Sequence, residues 1–149
     1  MSIELSRQSE QWLRVLIERT TDIIALVTFD GTITYVGPSI ERVTGYSVEE
    51  VVGRYRFEFV HPEDLEYTMQ QLTGILDQPG NSATIEFRYC HKNGTWRWME
   101  GTMTNLLDDP AVEAVVCNYR DITERKQAEE ERQQLLAREQ TARAEAEAV

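Results

Sequence analysis

The sequence contains few of the residues that bind metals, form disulfides or neutralise phosphate. Among its 149 residues are two cysteines and two histidines, and its 15 lysines and arginines are outnumbered by 26 acidic residues, which gives a net charge of -11. Cys90 and Cys117 lack the spacing of a zinc site or a disulfide framework, so we expect reduced packing residues and no metal. Nucleic acid and anionic membranes require a basic surface, and the acidic balance therefore argues against both as partners.

Long apolar segments are missing as well. No run approaches the roughly 20 apolar residues of a transmembrane helix. The start MSIELSRQSEQ lacks the charged and then apolar pattern of a signal peptide. We therefore expect a cytoplasmic chain without direct membrane contact, while a membrane anchor elsewhere in a parent protein stays open.

The sequence also lacks a recognisable catalytic grouping. The two histidines, His61 and His91, have no serine, cysteine or carboxylate pattern that would predict a nucleophilic triad. His61 precedes Pro62 and is expected to lie in a helix-start turn, whereas His91 is expected in an exposed hairpin turn. We expect no catalytic residues and no enzymatic activity of this chain.

What the sequence does contain is a regular succession of strand and helix patterns. An amphipathic helix is predicted over Leu5 to Arg19, and a longer helix from Pro62 to about Leu76, with short helical pieces before it. The Asp30-Gly31 pair gives the strongest hairpin signal. Five strands are predicted over Ile23 to Phe29, Thr32 to Val36, Ala83 to Cys90, Thr95 to Leu107 and Val112 to Arg120. This order indicates one α+β domain with an antiparallel sheet covered by helices.

A strand pattern changes into a helix pattern close to the C-terminus. Val112 to Tyr119 is rich in β-branched and aromatic residues, whereas Glu124 to Ala148 is almost entirely Glu, Gln, Arg, Lys, Ala and Leu. Either Asp121 or Thr123 can cap the first turn of that helix with a side-chain oxygen. We therefore divide the chain into a flanking helix (1–20), a globular domain (21–122) and a C-terminal helix or coiled-coil linker (123–149).

Four segments together resemble a PAS domain of the kind that ends in a PAC segment. They are DGTITYVGPSIERVTGYSVEEVVGR, FVHPEDLE, IEFRYCHKNGTWRWMEGTMTNLLDD and YRDITERK, and they cover about residues 21–125. The resemblance implies a five-stranded antiparallel sheet, short helices that enclose a pocket on one of its faces, and signalling helices at both ends. Members of the family sense ligands, light, redox state or oxygen, and they also mediate dimerisation.

The C-terminal segment has a resemblance of its own. ERKQAEEERQQLLAREQTARAEAEA is similar to the linkers that precede the dimerising, phosphate-accepting helices of bacterial sensor histidine kinases. Ala128, Leu135 and Ala142 keep a seven-residue repeat, but mostly charged residues fill the complementary seam positions. We therefore expect a weak coiled coil that pairs firmly with the help of a downstream domain or the sheet.

Strand periodicity predicts which side chains face the pocket. Alternate residues of a strand point to opposite faces of the sheet, and the more apolar set is expected to face inward. Side chains of the long helix and of the segment before it are expected to close the cavity. The possible pocket residues are Phe57, Phe59, Met69, Leu72, Ile85, Phe87, Tyr89, Met99, Val115, Cys117 and Tyr119. The alternative is that these side chains simply fill a core.

Two cofactor patterns of the family are missing. Light-sensing LOV relatives carry a cysteine in an Asn-Cys-Arg-Phe-like segment after a Gly-Arg pair, whereas Gly53-Arg54 is followed here by Tyr55-Arg56-Phe57. Haem-binding relatives place a histidine ligand on the long helix, where this chain has Tyr67 and Met69. The resemblance therefore disfavours cysteinyl-flavin photochemistry and histidine-ligated haem, while non-covalent flavin, another small-molecule ligand or no cofactor stay open.

An apolar surface is predicted on the outer face of the sheet. Trp96 and Trp98 share one face of their strand and lie outside if Met99 points inward. Such a surface needs a cover, which either the amphipathic N-terminal helix or a second subunit can provide. We expect Trp12, Leu16, Trp96 and Trp98 to form this helix–sheet or dimer contact, and we expect a homodimer.

These expectations combine into a sensory module without catalytic activity. A ligand-induced or packing-induced change would pass through a signal junction, Asp121, Ile122 and Thr123, into the C-terminal helix. The favoured effector is a histidine kinase of a two-component system, and a diguanylate cyclase or phosphodiesterase is the alternative. A ligand-free PAS module that only dimerises is the other alternative. Asp121 is expected to anchor the helix to the sheet through one of three arginines: Arg88, Arg97 or Arg120.

Overall fold

The computed structural model describes residues 10, 11, 13, 15, 16 and 21–148. Its strands are β1 (Ile23–Val27), β2 (Ile33–Val36), β3 (Ser82–Cys90), β4 (Trp96–Leu106) and β5 (Ala114–Asp121). Its helices are α1 (Ser39–Thr44), α2 (Val48–Val51), α3 (Pro62–Ile75) and α4 (Thr123–Glu147), with a 3₁₀ helix over Arg56–Phe59. Each strand begins and ends within about two residues of the position that periodicity and turn residues predict.

The five strands form one antiparallel sheet in the order β2-β1-β5-β4-β3. The last strand, β5, therefore lies between two hairpins. It pairs with β1, where Tyr119 lies opposite Ile23, and with β4, where Asp121 lies opposite Met99. The predicted α+β class with a five-stranded antiparallel sheet is confirmed.

Local side-chain chemistry sets the helix starts. Helix α2 begins with a capping box, in which Ser47 Oγ accepts the N–H of Glu50 at 3.2 Å. Helix α3 has Pro62 at its first position, and His61 Nδ1 accepts the N–H of Glu63 at 3.0 Å. His61 thus lies in the helix-start turn that the sequence predicts.

The core lies between the inner face of the sheet and the helices. Burial alternates along β3 and β4, so every second side chain faces inward. Helices α1 and α2 contribute Ile40 and Val51 to the core, and helix α3 contributes Leu72 and Ile75. The strand residues of this hydrophobic cluster are Ile23, Ala25, Val27, Ile33, Val36, Ile85, Phe87, Tyr89, Met99, Met103, Val115, Cys117 and Tyr119.

The predicted N-terminal helix falls largely outside the described residues. Residues 10, 11, 13, 15 and 16 are helical, and the side chains of Leu13, Val15 and Leu16 are each about half exposed. Within the described part of the chain, no helix has both the length and the apolar character to cross a membrane.

An ion pair fastens helix α3 to strand β3. Asp64 Oδ2 accepts hydrogen bonds from the backbone N–H of Arg88 at 2.8 Å and from its Nε at 3.0 Å, and Asp64 Oδ1 accepts one from Nη2 at 2.9 Å. The hydrogen bonds from Arg88 outweigh partial burial and hold the pKa of Asp64 below its ordinary value. Ionised Asp64 therefore stabilises the folded chain.

Asp64→Asn should lower the free energy of unfolding by about 2 kcal/mol at neutral pH, because it removes charge-assisted hydrogen bonds. Since the folded-state pKa is lowered, this contribution is complete above the ordinary pKa of 3.8 and is lost as the pH falls through the folded-state pKa. Urea unfolding of both proteins between neutral pH and roughly pH 3 measures the difference. Glu66→Gln on the exposed side of α3 controls for charge removal, and a difference that does not shrink in acid would contradict the prediction.

Candidate functional site

The inner face of the sheet and the short helices enclose a cavity of about 70 Å³. Most of its wall is aliphatic or aromatic: Ile23, Ala25, Val27, Ile33, Val36, Ile40, Val51, Phe59, Val60, Phe87 and Met99. Thr44, Tyr46, Arg56, Tyr89 and Tyr119 also line it, but nearly all of the surface that they turn towards the cavity is apolar. A wall of this composition suits a small apolar molecule.

Except for Met69, the predicted pocket residues fall into two groups. Phe59, Phe87, Tyr89, Met99 and Tyr119 line the cavity. Five further members belong to the buried core around the cavity and do not line it: Phe57, Leu72, Ile85, Val115 and Cys117. Helix α3 packs against β3 and β4 and fills part of the inner face, so an inward-facing side chain there meets other side chains and no free space.

The expected contribution of Met69 to the cavity is wrong. Met69 is 40% exposed on helix α3. The helix instead buries Thr68, Leu72 and Ile75, which lie four and three residues apart on one stripe. Thr68 tolerates burial because its hydroxyl donates a hydrogen bond to the Leu65 carbonyl at 2.9 Å. A polar residue thus occupies the buried stripe where hydrophobicity alone favours Met69.

Arg56 is a residue of the cavity wall that the sequence analysis missed. It lies in the 3₁₀ helix, and 5% of the residue is exposed. Nη1 lies 2.8 Å from Met103 Sδ, whereas Nη2 has no hydrogen-bond partner. Its guanidinium carbon lies 4.9, 5.8 and 5.5 Å from the ring centroids of Phe57, Phe87 and Tyr119. The sequence signal for this site is a single cation within the aromatic segment Tyr55-Arg56-Phe57.

Tyr119 brings a second buried polar atom to the cavity. Gly101 on β4 leaves room for its ring, since a Cβ at that position would lie 2.7 Å from Tyr119 Cδ1. The hydroxyl is near the thiol of Cys117, but it forms no hydrogen bond of ordinary geometry. Burial raises the pKa of Tyr119 well above its ordinary value. The hydroxyl is therefore protonated.

Tyr89 connects the cavity to the start of helix α4. Its side chain lines the cavity, and its hydroxyl oxygen lies 2.7 Å from Asp121 Oδ2 and 3.1 Å from the Val43 carbonyl oxygen. A phenol has one proton, so it donates to one of these acceptors at a time. Burial and the hydrogen bond to Asp121 raise the pKa of Tyr89, which keeps this proton in place.

Asp121 joins two strands and a helix at the signal junction. Its Oδ2 accepts hydrogen bonds from Tyr89 and from Arg97 Nε at 2.9 Å, and its Oδ1 accepts the N–H of Thr123 at 2.9 Å. Burial opposes ionisation of Asp121, but the hydrogen bonds outweigh it and lower the pKa of the carboxyl below its ordinary value. The other two arginines named as candidate anchors pair elsewhere: Arg88 with Asp64, and Arg120 with Asp22.

Ile122 and Thr123 attach the same junction to the backbone of β4 at Trp98. The N–H of Ile122 donates to the Trp98 carbonyl at 3.0 Å, and Thr123 Oγ1 accepts the N–H of Trp98 at 2.9 Å. Ile122 occupies the N-cap position and has no capping side chain, so the Asp121 carboxylate accepts the first N–H of helix α4, while the Thr123 hydroxyl continues the sheet contacts.

The two tryptophans of β4 lie on the outer face of the sheet. The ring centroid of Trp98 is 5.5 Å from Arg88 Cζ and 4.7 Å from Lys126 Nζ, so the ring has a cation on each of two neighbouring elements. Trp96 packs against His61, with ring centroids 4.4 Å apart.

The expected partners of these tryptophans are not placed against them. Trp12 lies outside the described residues, and Leu16 is 49% exposed. A contact of Trp12 and Leu16 with Trp96 and Trp98, within one chain or across a dimer, therefore stays a prediction.

Helix α4 is fastened to the sheet by its first turn. Lys126 Nζ lies 2.6 Å from Glu86 Oε2, and Arg125 Nη2 lies 2.9 Å from Glu86 Oε1. Beyond Lys126 the described part of the helix is exposed, including Leu135 at 64% and Leu136 at 48%. Its apolar side chains have no cover within the described chain.

Both cysteines are free thiols, with Cys117 buried and Cys90 partly buried. Burial raises the pKa of the Cys117 thiol. Across the residues that the structure describes, no three His, Cys, Asp or Glu side chains are grouped so that they could hold a metal ion.

Known proteins share this architecture. A family model described as PAS fold matches residues 33–117. The chain is 27% identical to the sensor histidine kinase TmoS of Ectopseudomonas mendocina over 137 residues, which are 90% of this chain and 14% of TmoS. It is 26% identical over 99 residues to the aryl hydrocarbon receptor nuclear translocator homolog of Drosophila melanogaster, which are 65% of this chain and 15% of that protein.

A solved PAS domain also has this fold. The PAS domain of an HTR-like protein from Haloarcula marismortui superposes with a TM-score of 0.67 and 26% identity, over 78% of this chain and 99% of that domain. The chain spans about one seventh of the length of the two curated relatives. The match of the family model extends from β2 into β5 and so includes most of the cavity wall, together with the strands β3 and β4 that the junction contacts. The chain therefore belongs to the PAS family.

Proposed function

We propose that this PAS domain is a cytoplasmic sensory module that dimerises and passes a change in its cavity through Asp121, Ile122 and Thr123 to a downstream effector. The favoured effector is a histidine kinase of a two-component system. The observation that carries the proposal is Tyr89, whose side chain lines the cavity while its hydroxyl donates to Asp121. The module itself catalyses nothing and acts through the helix that leaves it.

The single proton of Tyr89 provides two arrangements of the junction. In one arrangement the Tyr89 hydroxyl donates to Asp121 Oδ2, which lies 2.7 Å from it. In the other it donates to the Val43 carbonyl oxygen, which lies 3.1 Å away in the structure. A hydrogen bond to a charged group contributes about 1.5–3 kcal/mol, so its loss shifts the population of the anchored helix start by roughly 10- to 100-fold. A ligand that contacts the Tyr89 ring drives this shift when it binds the two arrangements unequally.

Helix α4 is suited to report such a shift. Its first residue, Thr123, is bonded to Asp121 and to Trp98, whereas the helix beyond Lys126 is exposed. Release of Asp121 changes the direction or the pairing of the helix while the core keeps its packing. The exposed side chains of Leu135 and Leu136 offer apolar contacts to a second copy of the helix, which supports the proposed homodimer.

The similarity to TmoS supports a histidine kinase as the effector. The matching region covers 90% of this chain, so it includes part of helix α4 in addition to the domain. A diguanylate cyclase or phosphodiesterase is the alternative effector, since exposed helical linkers of Glu, Arg and Ala serve many output domains.

The small volume of the cavity supports a second candidate function, a ligand-free dimerisation module. About 70 Å³ is well below the roughly 300–1,000 Å³ of pockets for drug-sized ligands. Absorbance and mass spectrometry of molecules released from the purified protein distinguish the two functions. A stoichiometric small molecule supports sensing, whereas its repeated absence favours the scaffold.

Tyr89→Phe should loosen the start of helix α4 and preserve the cavity wall, because it removes one hydroxyl and keeps the ring. We expect amide exchange over residues 123–126 to accelerate about 10-fold, as the loss of one charge-assisted hydrogen bond implies. Hydrogen–deuterium exchange measures this, and Tyr35→Phe on the exposed side of β2 is the control. Equal exchange in Tyr89→Phe and the wild type would refute the route through Asp121.

Asp121→Ala should make effector output independent of Tyr89 without unfolding the domain. The variant removes the acceptor of Tyr89, Arg97 and Thr123, and we expect the free energy of unfolding to fall by about 1–3 kcal/mol. In the protein with its downstream domain, Tyr89→Phe alone should change effector activity. When it is added to Asp121→Ala, the double variant should have the same effector activity as Asp121→Ala alone. Asp108→Ala in the exposed β4–β5 turn is the control background. Additive effects of the two substitutions would count against the junction.

A further inference from the structure

Two carboxylates, Glu86 and Glu100, form an outer carboxylate pair on the outer face of the sheet. Strand register places Glu86 of β3 directly opposite Glu100 of β4, and like charges in directly opposite positions destabilise an antiparallel pair. The hydrogen bond from Lys126 lowers the pKa of Glu86 below its ordinary value, so this carboxyl is ionised at neutral pH. Neighbouring side chains must therefore supply positive charge to offset the repulsion.

Helix α4 supplies that charge. Lys126 Nζ lies 2.6 Å from Glu86 Oε2. Arg125 reaches both carboxylates, with Nη2 2.9 Å from Glu86 Oε1 and Nη1 3.7 Å from Glu100 Oε2. Two arginines that flank the pair have acidic partners of their own: Arg88 with Asp64, and Arg120 with Asp22. Both cations that pair with Glu86 in the described part of the chain thus come from the first turn of the helix.

The start of helix α4 is therefore held from both faces of the sheet. On the inner face, Asp121 accepts the N–H of Thr123. On the outer face, Lys126 pairs with Glu86, and its Nζ lies 4.7 Å from the ring centroid of Trp98. Beyond Lys126 the described helix is exposed, so the outer contact lies at the point where the helix leaves the sheet.

The outer contact is a network of charges that salt can screen. Glu86 has two cationic partners and Arg125 has two carboxylate partners, and surface ion pairs contribute to stability chiefly in networks of this kind. The four side chains are 28% to 49% exposed, whereas the side chain of Asp121 is 18% exposed. Salt therefore weakens the outer contact more than the contact at Asp121.

Strand β3 connects the outer contact with the cavity. Phe87 lines the cavity and directly follows Glu86 in the strand. Successive side chains of a strand point to opposite faces of the sheet, so a shift of β3 that moves the Phe87 ring also moves the Glu86 carboxylate on the other face.

We propose that the outer carboxylate pair positions helix α4 for output: the helix keeps its direction while Arg125 and Lys126 stay on Glu86, and a shift of β3 that breaks these ion pairs releases it. Glu86 is thus a positioning residue that acts through the helix. The inference rests on the proposed sensory function for the meaning of the helix direction. It adds a route on the outer face to the route through Tyr89 and Asp121.

Glu86→Gln tests the outer contact because it removes the charge and keeps the shape of the side chain. We expect amide exchange over residues 127–130, whose N–H groups bond to carbonyls of the first turn, to accelerate about three-fold in roughly 0.01 M salt. The ratio of variant to wild type should fall towards one near 1 M salt, where the Debye length is only about 3 Å.

Glu58→Gln is the matched control, since it removes an exposed ion pair with Arg54 that does not contact helix α4. It should leave the exchange of residues 127–130 unchanged. Equal exchange in Glu86→Gln and the wild type at low salt overturns the proposal, and so does an acceleration that 1 M salt does not reduce.

A double-variant cycle assigns the effect to the contact between the strand and the helix. Lys126→Gln should accelerate the same amides in the wild-type background. When it is added to Glu86→Gln, its effect should be smaller, because the partner of Lys126 is already neutral. Equal effects in the two backgrounds mean that Lys126 and Glu86 act separately and overturn the proposal.

Effector activity, measured in the protein with its downstream domain, separates this inference from the proposed function. If Glu86→Gln changes the activity and Tyr89→Phe does not, the outer contact stands and the proposed route through Tyr89 fails. If Tyr89→Phe changes the activity and Glu86→Gln does not, the proposed route stands and the outer contact is merely structural, which overturns this inference. Changes in both variants support both routes, and a change in neither overturns both.

Discussion

The position of β5 between β1 and β4 is the constraint on which the rest of the structure depends. The strand that leaves the domain is also hydrogen-bonded on both edges, so it cannot shift without a change in two ladders. Tyr119 reaches the cavity from this strand, and the chain enters helix α4 four residues later. Because the strand is held so firmly, side-chain contacts at its end are the places where a small change in free energy can alter the helix.

Strand register brings those contacts together. Tyr89 and Arg97 are direct partners across β3 and β4, and Met99 is the partner of Asp121 across β4 and β5. The phenol, the guanidinium and the carboxylate therefore meet without any loop to position them. A slip of one residue would turn the side chains of a strand to its other face, so the same pairing that buries the core also assembles the junction.

Much of the fold could be predicted because its signals are local, whereas parts of the site depend on depth and register. The Asp30-Gly31 turn and the alternation of β3 to β5 mark the strands directly. Met69 was misplaced because the hydroxyl of Thr68 finds its acceptor within the helix, which hydrophobicity cannot express. Arg56 was missed because a charged residue is ordinarily exposed. Arg97 is the arginine that anchors Asp121 because of the register between strands β3, β4 and β5. That register cannot be derived from the sequence of a single strand.

One continuous set of aromatic rings connects Arg56 with Tyr89 along the wall of the cavity. Arg56 contacts the ring of Phe87, and Phe87 packs edge-on against Tyr119 with ring centroids 5.9 Å apart. Tyr89 follows Phe87 by two residues on the same face of β3 and carries the bond to Asp121. The rings that pack around the buried guanidinium and the residue that anchors helix α4 thus lie next to one another on one face of β3, so a change in the packing of these rings can reach the anchor through a single strand.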